Sequence, residues 1–243
     1  MVKQLLGRGI LSGAVAGLVA FVFARVFAEP QIQKAIDFES ARSHDHGEEM
    51  FSRAVQANLG LGAGMIIFGI AMGALVAVGY AVAIGRTGRI RPFPLALLVP
   101  AFYGVGVFVV PFLKYPSNPP AIGHEDTIRE RGAAYLVAVA VSCLALFLAV
   151  YLGQKLRERM ALYPTVLLAG LGYAVVMTVT FLVLPSFSET PASFPADVLA
   201  RFRVDAIISQ VLMWGTIALV FAPLAERVMA PAAAQSEPVP ALV

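Results

Sequence analysis

The sequence predicts an all-α fold, a polytopic membrane bundle of about six transmembrane helices with a pattern that suits three two-helix hairpins. Three observations carry this. Hydrophobic residues make up 59% of the 243 positions before glycine is counted, whereas a soluble domain holds about 45–50% with glycine included. Charged residues are only 14%, against about 25% in soluble domains. The apolar residues also gather in runs long enough to cross ~30 Å of hydrocarbon as helices, which takes about 20 residues. A mean hydropathy of +0.80 agrees. These figures exclude a disordered chain, a disulfide scaffold, a nucleic-acid module and an ordinary cytosolic enzyme.

Six runs qualify, at residues 9–28, 59–84, 95–113, 133–153, 163–184 and 204–222. In lipid every backbone amide must be bonded within its own segment or a closed sheet. The runs are too long and too poor in alternation for barrel strands, so helices are expected. The first run carries Gly9, Gly13 and Gly17, and the second Gly60, Gly64, Gly69, Gly73 and Ala77. Small residues at that spacing let two backbones approach closely, because lipid gives helices no hydrophobic reason to associate. A glycine-lined pore is the rival reading. The third run ends in PFLKYPSNPP, the fourth holds the single cysteine, Cys143, and the fifth ends in LPSFSETPASFP. One cysteine permits neither an internal disulfide nor a zinc knot. The sixth follows Arg201 and Arg203 and carries Asp205 at its edge, where snorkelling and pairing among the three are expected and a cation-entry role for Asp205 or Glu29 is the rival reading. Residues 1–228 read as one transmembrane domain, and 229–243 as a disordered, Ala/Pro-rich cytoplasmic tail.

Orientation follows from lysine and arginine in the short connections. One side collects nine basic residues (Lys3, Arg8, Arg86, Arg89, Arg91, Lys155, Arg157, Arg159 and Arg227) against three acids. The other carries eight basic residues and eleven acids. Both termini are therefore expected in the cytoplasm of a multi-pass membrane protein, with three acidic loops outside. The net charge of +3 forms no patch, so no nucleic-acid partner is expected. A signal peptide is the competing reading of the N-terminus, with Val26, Phe27 and Ala28 resembling a cleavage site; it would leave five spans.

A weak repeat links pairs of spans. Each odd run leads into a proline-broken segment, expected to be irregular and near the membrane surface. Each even run is then approached by an arginine: Arg53, Arg131 and Arg203. Snorkelling arginines at membrane edges would produce the same pattern. Arg25 and Glu29, one turn apart, are expected to form an ion pair at the outer end of the first run.

The groups able to bind a metal lie on the acidic side. The stretch SHDHGEE places His44 and His46 two apart, followed by Glu48 and Glu49. Two imidazoles with carboxylates suit a borderline dication such as cobalt, nickel or zinc, and the lack of thiolates disfavours copper(I). A solvated acidic loop is the plainer alternative. His124, Glu125 and Asp126 form a second cluster, where Asp126 as the N-cap of the following helix competes with ligation. Glu29, Asp37 and Glu39 complete the candidate set. There is no phosphate-binding GxxxxGK[ST] loop, no HExxH and no GxSxG, so no catalysis and no bound cofactor are expected.

The strings LLGRGILSGAVAGLVAFVFARVFAEPQIQKAIDFE, SRAVQ, PFLKYPSNPPAIG, FPADVLARFR and LAERV resemble the CbtA family of probable cobalt transporter subunits, nearly from end to end. The resemblance implies Co²⁺ uptake across a bacterial cytoplasmic membrane for cobalamin synthesis. It also implies a small single-span partner, CbtB, bearing histidines. Ni²⁺ or Zn²⁺ remain possible cargo. The alternative is a non-transporting scaffold that docks the small partner and presents metal to it.

Overall fold

The computed structural model describes residues 1–42, 51–88, 90–120, 122–123 and 125–234, and among them regular structure is helical, with no strand. Six helices are long and apolar enough to cross a membrane. They are α1 (Val2–Phe27), α3 (Arg53–Ala83), α4 (Pro92–Lys114), α5 (Ile128–Leu156), α6 (Leu162–Val183) and α7 (Ala196–Ala234). Most extend past the apolar runs, because helical hydrogen bonding continues into polar turns that lipid does not cover. At α1 this takes in Lys3 and Arg8, both good helix formers.

One element departs from expectation. The segment after α1, expected to be irregular, is a helix, α2 (Glu29–Ser40). Pro30 sits in its first turn, where a missing N–H costs nothing. At the other end of the chain, α7 is helical to Ala234, into the stretch whose composition suggests a disordered tail.

The chain divides into two compact units. The first comprises Met1–Phe21, Gly62–Ala101 and the described chain from Leu212 on. Here the glycines of α1 and α3 meet backbone to backbone. A Cβ on Gly69 would stand 2.9 Å from the Gly17 Cα, and one on Gly73 2.8 Å from the Gly13 Cα. The close approach expected from the spacing is present, with a change of membership. Gly64, a member of the sequence pattern, faces open space, whereas Gly62, outside that pattern, packs on the Phe21 ring. Tyr80 and Phe221 meet edge to face at 5.4 Å, and Arg8 donates to the Leu224 carbonyl.

The second unit comprises Val22–Leu61 and Phe102–Val211. Both α3 and α4 contain a π-helical turn, at Gln56–Gly60 and Val105–Val109. Near the second, Pro111 has no N–H to offer the Val107 carbonyl four residues earlier. The Tyr135 hydroxyl of α5 donates to that carbonyl at 3.3 Å. In hydrocarbon a freed carbonyl needs such a partner. Gly106 packs on Cys143, and the Ser142 and Tyr173 hydroxyls bond at 2.8 Å between α5 and α6. Elsewhere α6 leaves its apolar side chains uncovered, as suits a lipid-facing helix; Leu182 is 80% exposed.

Candidate functional site

Three segments expected outside the membrane come together within the second unit, and they do so through apolar contacts. Ala35 of α2, Ile122, and Phe194 with Val198 at the start of α7 form a buried cluster, flanked by Phe38 and Leu199. The Phe38 and Phe194 rings meet edge to face at 5.1 Å, an arrangement their quadrupoles favour. Arg42 lies over Phe38 and donates to the Ser193 hydroxyl. The segment after α4 is tied down as well. Lys114 donates to the Phe181 carbonyl and the Ser186 hydroxyl, both at 2.8 Å, satisfying a carbonyl in the last turn of α6. Tyr115 donates to the Pro185 carbonyl at 2.6 Å, and burial raises its hydroxyl pKa above the usual phenol value.

The three arginines of the repeat each hold one of these segments. Arg53 pairs with Glu29 at the start of α2 and also donates to Gln33. Arg131 pairs with Glu189 at 3.2 Å, and Glu189 accepts a second bond from the Thr127 hydroxyl. Arg203 donates to the Ser117 carbonyl at 3.2 Å and to Asn118 at 2.9 Å. The first arginine serves the segment of its own hairpin, while the other two reach across to each other's. Gly123, at φ +130°, lies against the second pair.

Two expected pairings are corrected. Arg25 bonds Asn58 at 2.8 Å instead of Glu29, because the π turn in α3 presents that amide and Arg53 occupies the carboxylate. Arg203 turns to Asn118 and leaves Asp205, whose side chain is buried at 6% exposure with Oδ2 unpartnered. The capping expectation for Asp126 is corrected too. It lies exposed in a 3-10 turn, Glu125–Thr127, and Thr127 is the N-cap of α5.

Of the candidate ligands, His44, His46, Glu48, Glu49 and His124 lie outside the described residues. Glu29 is buried and paired, and borders an open cleft of about 340 Å³ with Arg25, Gln33, Arg53 and Asn58. Asp37 is exposed on α2 and accepts from Gln33 at 2.8 Å. Glu39 is exposed two residues further on, which a helix rotates by roughly 200°, so the two carboxylates face apart. Among the described residues no group of three or more His, Cys, Asp or Glu stands close enough to hold a metal. Glu189, Asn118 and Gly123 were not singled out by sequence reasoning. Only the arginine spacing hinted that such partners exist.

The model of one protein family, described as "Probable cobalt transporter subunit (CbtA)", matches residues 2–226. No curated protein and no solved structure matches the chain.

Proposed function

The chain belongs to the CbtA family of probable cobalt transporter subunits, and from that premise we propose that it carries Co²⁺ inward across a bacterial cytoplasmic membrane, supplying cobalamin synthesis. The family match over residues 2–226 is the observation that carries this reading. A subunit works within a complex, and a small single-span CbtB-like chain is the proposed companion. The loop bearing His44, His46, Glu48 and Glu49 captures the ion outside. Asp37, Glu39, His124 and Asp126 form the vestibule, and Glu29 joins them only by exchanging Arg53 for the ion. The termini lie in the cytoplasm, where the basic connections gather. A transporter-subunit family also argues for a carrier rather than an enzyme.

A scaffold would need a close-packing face free to dock its partner, and the glycine faces of α1 and α3 are occupied by each other. Transport is therefore preferred. The test is radiolabelled Co²⁺ flux into vesicles holding this subunit with and without its small companion, competed by Ni²⁺ and Zn²⁺. Flux that requires this chain supports the reading, and its absence in both preparations defeats it. Replacing His44 and His46 by alanine should lower uptake at limiting metal and spare it at saturating metal. Equal uptake at every concentration would remove the capture role.

A further inference from the structure

The carboxylates of the second unit with little exposure differ in how they are answered. Glu29 faces Arg53, and Glu189 faces Arg131. Asp205 is 6% exposed, and its Oδ2 has no hydrogen-bond partner. It is the one charged residue between positions 204 and 222, the apolar run of α7. Its basic neighbours do not reach it by hydrogen bond. Arg203 is engaged by Ser117 and Asn118, and Arg201, one turn earlier, is exposed and acts on the carboxylate through its field without an ion-pair contact. A buried carboxylate oxygen left without a hydrogen-bond partner inside a membrane helix is costly, and such groups mark ion pathways. A purely structural helix would be better served here by asparagine or serine. Ser209, one turn further along, is buried at 6% exposure and adds a hydroxyl to the same face.

Building on the transport reading, we propose that Asp205 is the intramembrane relay ligand of the route, taking up the divalent cation transiently at the loop-side mouth of α7, with Ser209 as a second oxygen. An oxygen-only pair binds a borderline dication weakly, and a passing ion must bind well enough to enter and loosely enough to leave. Selectivity then rests elsewhere, on imidazoles that oxygen donors cannot imitate.

The experiment compares the full chain with Asp205→Asn and Asp205→Glu, at matched membrane levels, in two assays. In radiolabelled Co²⁺ uptake, Asp205→Asn should lower the maximal rate by roughly tenfold or more, the order expected when a metal site is disturbed. Asp205→Glu should recover part of it, and the ratio of Ni²⁺ to Co²⁺ competition should stay unchanged. In the second assay a hydrophobic carbodiimide modifies buried carboxyl groups of the wild-type chain, and mass spectrometry follows the adduct at Asp205. Co²⁺ should slow that modification. Wild-type uptake that Asp205→Asn leaves intact overturns the proposal. So does carbodiimide labelling that is absent or indifferent to Co²⁺. Absent wild-type uptake with Co²⁺ protection preserved would defeat the transport reading while leaving Asp205 as a metal ligand.

Discussion

Gly123 joins two constraints at one position. Its φ of +130° is a conformation that side chains with a Cβ rarely adopt. A Cβ there would also stand 2.7 Å from Arg131 Nη1 and 2.9 Å from Glu189 Oε2. Gly123→Ala should therefore displace the ion pair and lower stability by about 1–3 kcal/mol, the range for backbone strain at a single residue. Gly132→Ala, in the first turns of α5 with nothing within 4 Å, is the control. It should be neutral or slightly stabilising, since alanine exceeds glycine in helix propensity by up to ~1 kcal/mol. Thermal unfolding in detergent would check both, and similar midpoints for the two variants would rule out a special role for Gly123. The Arg131–Glu189 pair itself is partly exposed on the arginine side, so solvent screening limits what it adds. Its larger effect is to hold the chain before α7 against the start of α5.

At the scale of the element, the pairing of α1 with α3 depends on the absence of side chains. Backbone atoms, unlike the tip of a long side chain, cannot move aside for a methyl group. Gly69→Ala should thus cost about 1–3 kcal/mol or more through overpacking and reduce the yield of monodisperse protein on size exclusion. Gly64→Ala, facing open space, should change neither. An intact Gly69→Ala variant would show that the two helices associate by other contacts. The proline-broken segments illustrate a second element-level point. Prolines signal that a span has ended, but Pro30 opens α2 instead of interrupting it. The same residue type stops one helix and starts the next, depending on whether its N–H would have been needed.

For the molecule as a whole, the charge asymmetry of the connections makes a prediction about sidedness. Six crossings return the chain to the side from which it started, so one basic connection and one acidic loop suffice for the test. In a Cys143→Ala background, Ser43→Cys should react with an impermeant maleimide on intact cells. Thr87→Cys should react only after permeabilisation. The reverse pattern would turn the proposed import direction around, because the histidine loop would then face the cytosol. The positive-inside rule operates on short loops such as the one near residue 87, which carries Arg86, Arg89 and Arg91.

Much of this protein was legible in its linear order. Hydrophobic length is a local property, so residues 59–84 already marked the core of α3, and 204–222 that of α7. The four-residue spacing of Gly9, Gly13 and Gly17 likewise identified a close-packing face, since helical geometry converts spacing directly into a surface. The positions of Arg53, Arg131 and Arg203 were equally plain. Their partners were not. Whether Glu29 meets Arg25 or Arg53, and whether Arg203 answers Asp205 or Asn118, depends on how distant segments close on one another. A polar group is satisfied by whatever the folded chain brings within 3 Å, and no local pattern encodes that. Tertiary structure alone therefore decided that Glu29 and Glu189 are neutralised while Asp205 keeps an unclaimed oxygen.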